Sequence, residues 1–323
     1  MSTAKQLHSD AIISEGELQK IEAYESGKLF SVHWELRTIL YLGILLFTAG
    51  IGILIYKNID TIGHQAVLAI IALLCGGCFY YAFKNKQPYS NNEVKNASPF
   101  FDYIALLACL LLGIFIGYIQ FQYSLFGHRY GLATLIPSAV FLYCAYVFDH
   151  KGLLALGITG IAGTIGLSIA PMQLINGYNL SATHIVFTAL LFGAALIVWS
   201  KVSDVKSIKT HFSFTYHNFG INILFASCLT LLFNQPMKVL SFLLLVGLCI
   251  YFVRYAIKQQ SFWFLLLAIV YSYIGLTYSI FSILFDDNGG EGVFILGMFY
   301  LFASCIGVIL FFINYKKILG LKK

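Results

Sequence analysis

The chain has 323 residues, 59% of them hydrophobic and 11% charged, with a mean hydropathy of +0.82 and a formal net charge of +6. A soluble domain carries about 25% charged residues, and a chain of this size cannot bury so much apolar surface in a water-facing fold. The apolar runs are continuous over about 20 residues, whereas an outer-membrane barrel alternates over about 10. What remains is an all-α polytopic membrane helix bundle. Its basic residues sit at loop ends, as membrane topology requires, so the positive charge does not point to nucleic acid.

Residues 1–34 are polar and read as a short cytosolic helical segment. Ser14-Glu15-Gly16-Glu17 has the capping-box pattern, in which Ser14 accepts from the backbone N–H of Glu17 and Glu17 reaches back. A helix is expected to follow, with Leu18, Ile21 and Glu25 on one side and an end near Ser26-Gly27. Two readings stand for this segment: a helical hairpin resting on the bundle or lipid, or a docking module for a membrane or cytosolic protein partner. Residues 1–37 lack an apolar core followed by a small-residue cleavage site, so the first span is expected to direct insertion itself.

A transmembrane domain of ten spans is expected over residues 35–316, followed by a basic cytosolic tail at 317–323. The spans fall at about 38–56, 65–83, 103–122, 130–148, 152–170, 184–200, 212–233, 238–255, 261–285 and 293–314. With the N-terminus inside, the cytosol receives Lys5, Lys20, Lys28, Arg37, Lys84, Lys86, Lys95, Lys151, Lys201, Lys206, Lys209, Arg254, Lys258, Lys316, Lys317, Lys322 and Lys323. The outside receives Lys57, Arg129 and Lys238. This asymmetry predicts that both termini are cytosolic. Lys57 is expected to pair with Asp60 at the outer rim of the first span.

Several features bear on chemistry. Asp, Glu, Lys and Arg are missing from the interior of every predicted span, so no intramembrane carboxylate is available for proton coupling. There is no H-E-x-x-H zinc site and no G-x-S-x-G nucleophile elbow, which argues against an enzyme and against a cofactor. All seven cysteines lie in apolar segments, so no disulfide framework is expected. Cys75-Gly-Gly-Cys78 in the second span reads as small packing residues rather than a redox or metal pair.

The seventh span is the most polar. His211, Thr215, Asn218 and Asn222 share one helical face, with His217 beside them. In the ninth span Tyr271, Gly275, Tyr278 and Ser282 have the same spacing, with Tyr273 and Thr277 nearby. A polar seam between these two spans is expected, either as hydrogen-bonded glue or as a solute-lining face. Gly157, Gly160, Gly163 and Gly166 in the fifth span predict a central, tightly packed helix, and Pro137 lies within the fourth. The aromatic clusters at Phe79-Tyr80-Tyr81, Phe100-Phe101 with Tyr103, and Tyr251-Phe252 with Tyr255 read as interfacial anchors.

The order Ile13-Ser14-Glu15-Gly16-Glu17, Tyr41-Leu42-Gly43, Gly50-Ile51-Gly52 and Tyr56-Lys57-Asn58-Ile59-Asp60 resembles the bacterial predicted-membrane-protein family called domain of unknown function 2157. The resemblance covers roughly the first quarter of the chain. It implies an N-terminal cytosolic helical segment, many spans and a bacterial cytoplasmic membrane, and it carries no activity, substrate or catalytic residue. Together these readings predict a non-catalytic polytopic protein: a scaffold, sensor or envelope-assembly partner in contact with the lipid bilayer. The alternative is a permease for a neutral or amphipathic small solute. Nothing in the sequence specifies an oligomeric state.

Overall fold

A computed structural model describes residues 14–17, 33–94, 99–176, 180–233, 238–284 and 291–321. Among these residues all regular structure is helical. The long helices are α1 (His33–Ile62), α2 (His64–Asn85), α3 (Pro99–Tyr123), α4 (Tyr130–Phe148), α5 (Lys151–Asn176), α6 (Leu180–Val205), α7 (Ser213–Phe233), α8 (Lys238–Lys258), α9 (Phe262–Leu284) and α10 (Glu291–Ile318). A 3₁₀ turn at Thr210–Phe212 leads into α7. Each expected apolar segment coincides with one helix to within a few residues. Among the described residues eight helices are long and apolar enough to cross a membrane; in α1 and α5 the described apolar stretches are shorter, Thr38–Leu54 and Lys151–Gly166.

The chain divides into two units, Met1–Thr61 and Ile62–Lys323. In the first, Glu17 reaches back as expected: its carboxylate accepts from the Ser14 backbone N–H at 2.8 Å and from the Ser14 hydroxyl at 2.9 Å. The other half of the capping box differs, because the Glu17 N–H bonds the Ser14 carbonyl at 3.1 Å instead of the hydroxyl. The expected contacts of Leu18, Ile21 and Glu25, and the Asp60 side chain of the expected Lys57 pair, lie outside the described residues.

The second unit is a series of helical hairpins. α2 packs on α3, α4 on α5, α6 on α7 and α8 on α9. Its helices are mostly apolar, as lipid requires, and large side chains such as Leu73, Phe121, Leu191, Val239 and Phe299 face outward. The most enclosed helix is α7, which touches α5, α6, α8 and α9. Ile221, Phe225 and Leu232 of α7, Leu245 and Phe252 of α8, and Phe264, Leu265 and Ala268 of α9 are buried together.

The fifth span is packed in the interior as expected: α5 touches α3, α4, α6 and α7, and shares the centre with α7. The glycines of α5 do allow close approach, but only in its first half. A Cβ on Gly157 would meet Leu142 at 2.6 Å, and one on Gly160 would run into Ser138 Oγ, whereas Gly163 and Gly166 have open space beside them. Thr134 and Thr164 hydroxyls, 3.0 Å apart, tie α4 to α5 along the same line. Around Pro137 the hydroxyls of Thr134 and Ser138 donate to the carbonyls of Gly131 and Thr134.

The aromatic clusters divide between two roles. Tyr80 and Phe100 face outward, as anchors should. Phe101, Tyr103 and Phe252 are buried in the bundle instead, and Phe101 meets Phe148 edge-on at 5.7 Å. Cys75 is buried and its thiol donates to the Ala108 carbonyl at 3.5 Å, a packing contact.

Candidate functional site

The polar seam between α7 and α9 is built from side chains spaced one or two turns apart. Asn218 and Asn222 lie on one face of α7, and the Asn222 amide donates to the Asn218 carbonyl at 2.7 Å. From α9, Trp263 Nε1 donates to Asn218 Oδ1 at 2.7 Å and Tyr271 donates to Asn222 Oδ1 at 2.8 Å. Farther along, the Tyr278 hydroxyl reaches the Phe233 carbonyl at 3.3 Å. Apolar groups fill the space between these bonds. Phe225 stacks on Tyr271 with ring centroids 5.2 Å apart, and Gly275 lets Leu229 and Leu245 close over α9. In lipid each of these polar groups needs such a partner, because hydrocarbon offers none.

Other expected members of the seam belong elsewhere. Tyr273 and Thr277 point toward α10, where they bond Ser304 at 3.0 Å and Tyr300 at 2.7 Å. Ser282 accepts from Lys238 of α8 at 3.1 Å. Thr215 is half-buried on α7. His211 is not in α7 but in the 3₁₀ turn before it, so the helical spacing that placed it on the stripe does not apply.

His217 is buried, with 1% exposure, and its ring stacks on Tyr255 of α8 at 3.9 Å with an interplanar angle of 7°. Nδ1 lies 3.0 Å from the Ser213 carbonyl and 3.0 Å from Ser200 Oγ. A carbonyl can only accept, so in the neutral ring Nδ1 carries the proton and Nε2 is the bare acceptor. Nε2 is buried without a hydrogen-bond partner among the described residues. Ser213 Oγ continues the line outward, 2.8 Å from Ser200 Oγ and 3.2 Å from Asp204 Oδ2.

The strongest electrostatic feature lies at the same end of the bundle and was not singled out from sequence. Asp149 follows α4 in a left-handed conformation, φ 57°, and Lys209 precedes the 3₁₀ turn in another, φ 49°. Their side chains are 3% and 1% exposed and meet at 3.1 Å. His211 Nε2 donates to the same carboxylate oxygen at 2.5 Å, and the Val94 backbone N–H donates to the other, also at 2.5 Å. The Lys209 ammonium also lies over the Tyr89 ring, 5.1 Å from its centroid, while its backbone N–H bonds the Asn91 carbonyl at 2.9 Å. A buried carboxylate thus receives a lysine, a histidine and a main-chain donor, and residues 89–94 are drawn over the α4–α5 corner. Such a pair is stable only when its remaining hydrogen bonds are also made, as they are here. The sequence signal was an acid directly after an apolar span, followed by His150 and Lys151; counting Lys209 as a loop base concealed it.

At the start of α5, Lys151 donates to Glu93 at 2.8 Å, and this ammonium holds the Glu93 carboxyl below the usual carboxylate range. Among the described residues no cluster of three or more His, Cys, Asp or Glu side chains has a metal-binding arrangement.

These features define a multi-pass α-helical membrane protein with a hydrogen-bonded interior and a buried ion pair at one end. Residues 5–154 match the family described as predicted membrane protein, DUF2157. The match carries the resemblance well past the first quarter of the chain, through α4 to the start of α5. It includes Asp149 and ends before Lys209 and His211. No curated protein and no solved structure matches the chain.

Proposed function

We propose that this chain is a non-catalytic scaffold, sensor or assembly partner in a bacterial cytoplasmic membrane. It crosses the bilayer ten times, keeps both termini in the cytosol and meets a protein partner through residues 1–34. The observation that carries this reading is the use of the polar interior: Asn218, Asn222, Tyr271, Tyr273, Thr277 and Tyr278 all bond other groups of the chain. A permease needs such groups for its solute, in a wet cavity near the midplane. Here leucines and stacked rings occupy the space between α7 and α9.

The second reading is a permease for a neutral or amphipathic solute. It is favoured by the line of Asp204, Ser213 and His217, which runs from a cavity at the α6–α7 end toward the middle of α7. Thiol labelling separates the two. With Asn222→Cys in otherwise cysteine-free protein, the scaffold reading expects no reaction with a membrane-impermeant maleimide from either side. Labelling at position 222 from one side, blocked by a solute, would establish the permease.

A further inference from the structure

A cavity of about 580 Å³ opens where α6 and α8 end and α7 and α9 begin. Its walls include Asp204, Thr210, His211, Phe214, Tyr255 and Gln259. This volume is within the range of small-molecule sites. Asp204 is the one carboxylate on the wall. Its side chain accepts from Ser213 Oγ at 3.2 Å, and no ion pair involves it among the described residues.

Three of the basic side chains nearby are engaged elsewhere. Lys209 and His211 are held by Asp149, and Lys201 lies over the Tyr251 ring at 4.7 Å. Asp204 also sits in the last turn of α6, where the carbonyl end of the helix already makes the potential negative and disfavours a carboxylate. The starts of α7 and α9, at Ser213 and Phe262, contribute the opposite sign at the same cavity and partly offset this. Phe214 is more than half exposed and packs on Phe264 at 5.1 Å, so its ring is available to a cation.

We propose that this cavity binds a primary ammonium group, with Asp204 as counter-ion, Phe214 as the aromatic wall and the Gln259 amide and Thr210 hydroxyl as acceptors for its N–H bonds. A primary amine uses these acceptors, whereas a quaternary one cannot donate to them. An anion would meet the Asp204 carboxylate, and a neutral solute would leave that charge unmatched. The cavity lies at the ends of membrane-crossing helices, so the ammonium comes either from a free alkylamine or from a phosphatidylethanolamine headgroup. The assignment does not depend on the scaffold role proposed above.

The test uses the full-length protein in detergent and in nanodiscs, with ethanolamine as the soluble probe and calorimetry and thermal unfolding as readouts. Ethanolamine is expected to bind saturably and raise the melting temperature, with choline and glycerol weaker. Asp204→Asn is expected to weaken ethanolamine about tenfold or more, as loss of a charged hydrogen bond should, and Asp204→Glu to restore part of the affinity. If the source is the lipid, phosphatidylethanolamine nanodiscs stabilise the wild type over phosphatidylglycerol nanodiscs and lose that advantage in Asp204→Asn. If only the free amine binds, the two lipids are equal and the ethanolamine response remains. Should Asp204→Asn fail to fold, Phe214→Ala reads the same loss. The proposal is overturned if the wild type does not saturate with ethanolamine in either setting, if glycerol binds as well, or if the folded variants bind as tightly as the wild type.

Discussion

Asp149 and Lys209 show what a single buried charge demands. Each is almost without solvent, so removing Asp149 strands the Lys209 ammonium, and removing Lys209 leaves the carboxylate with only His211 and the Val94 N–H. Asp149→Asn or Lys209→Met is expected to cost about 3–5 kcal/mol, and the double variant Asp149→Asn/Lys209→Met less than the two single losses together; chemical unfolding in detergent measures both. Glu93 and Lys151 are a contrasting pair, with side chains 56% and 51% exposed. The Glu93 carboxyl is lowered from the ordinary 4.5 by the Lys151 hydrogen bond. Its contribution is therefore complete above that value and lost as pH falls through the lowered one. Screening at such exposure limits it to about 1 kcal/mol or less. Lys151→Ala is expected to melt slightly below wild type at neutral pH and to converge with it in acid, as a pair of pH–melting curves would show.

At the level of the helix, the periodicity of 3.6 residues identified a polar face on α7 and another on α9, and Tyr271–Asn222 and Trp263–Asn218 join them. Spacing could not say that Tyr273 and Thr277 turn to α10, because a helix has several neighbours and the sequence does not name them. Asn222→Leu strands the Tyr271 hydroxyl and is expected to cost about 0.5–2 kcal/mol; a double-mutant cycle with Tyr271→Phe should show most of that loss as coupling. The glycines of α5 make a sharper test. Gly160→Ala drives a methyl into Ser138 and is expected to cost about 1–3 kcal/mol, whereas Gly163→Ala meets open space and gains helix propensity. Equal melting temperatures for the two variants would place α5 differently against α4.

For the molecule as a whole, the asymmetry of Lys and Arg predicts a sidedness that reporter fusions can read. Fusions within residues 86–98 and after residue 316 are expected to report the cytosol, and fusions within residues 234–237 and 285–290 the outside. Two fusions reporting the reverse of this order would remove both the ten-span count and the position of the termini. The cavity at the α6–α7 end lies on the cytosolic side of that arrangement.

Composition and run length by themselves determined that the chain is helical and crosses a membrane many times, because a bilayer of about 30 Å admits few other solutions for such apolar stretches. They also located the helices and the two polar faces, since helical period is written in local order. Which helix is most enclosed, which glycines touch a neighbour and which aromatic residues turn inward were decided only by tertiary packing. The same holds for Asp149, Lys209 and His211. Their residues sit in two separate turns, and only the packing of α4, α5 and α7 brings them to one carboxylate, where desolvation makes a lysine at 3.1 Å a structural requirement instead of a loop charge.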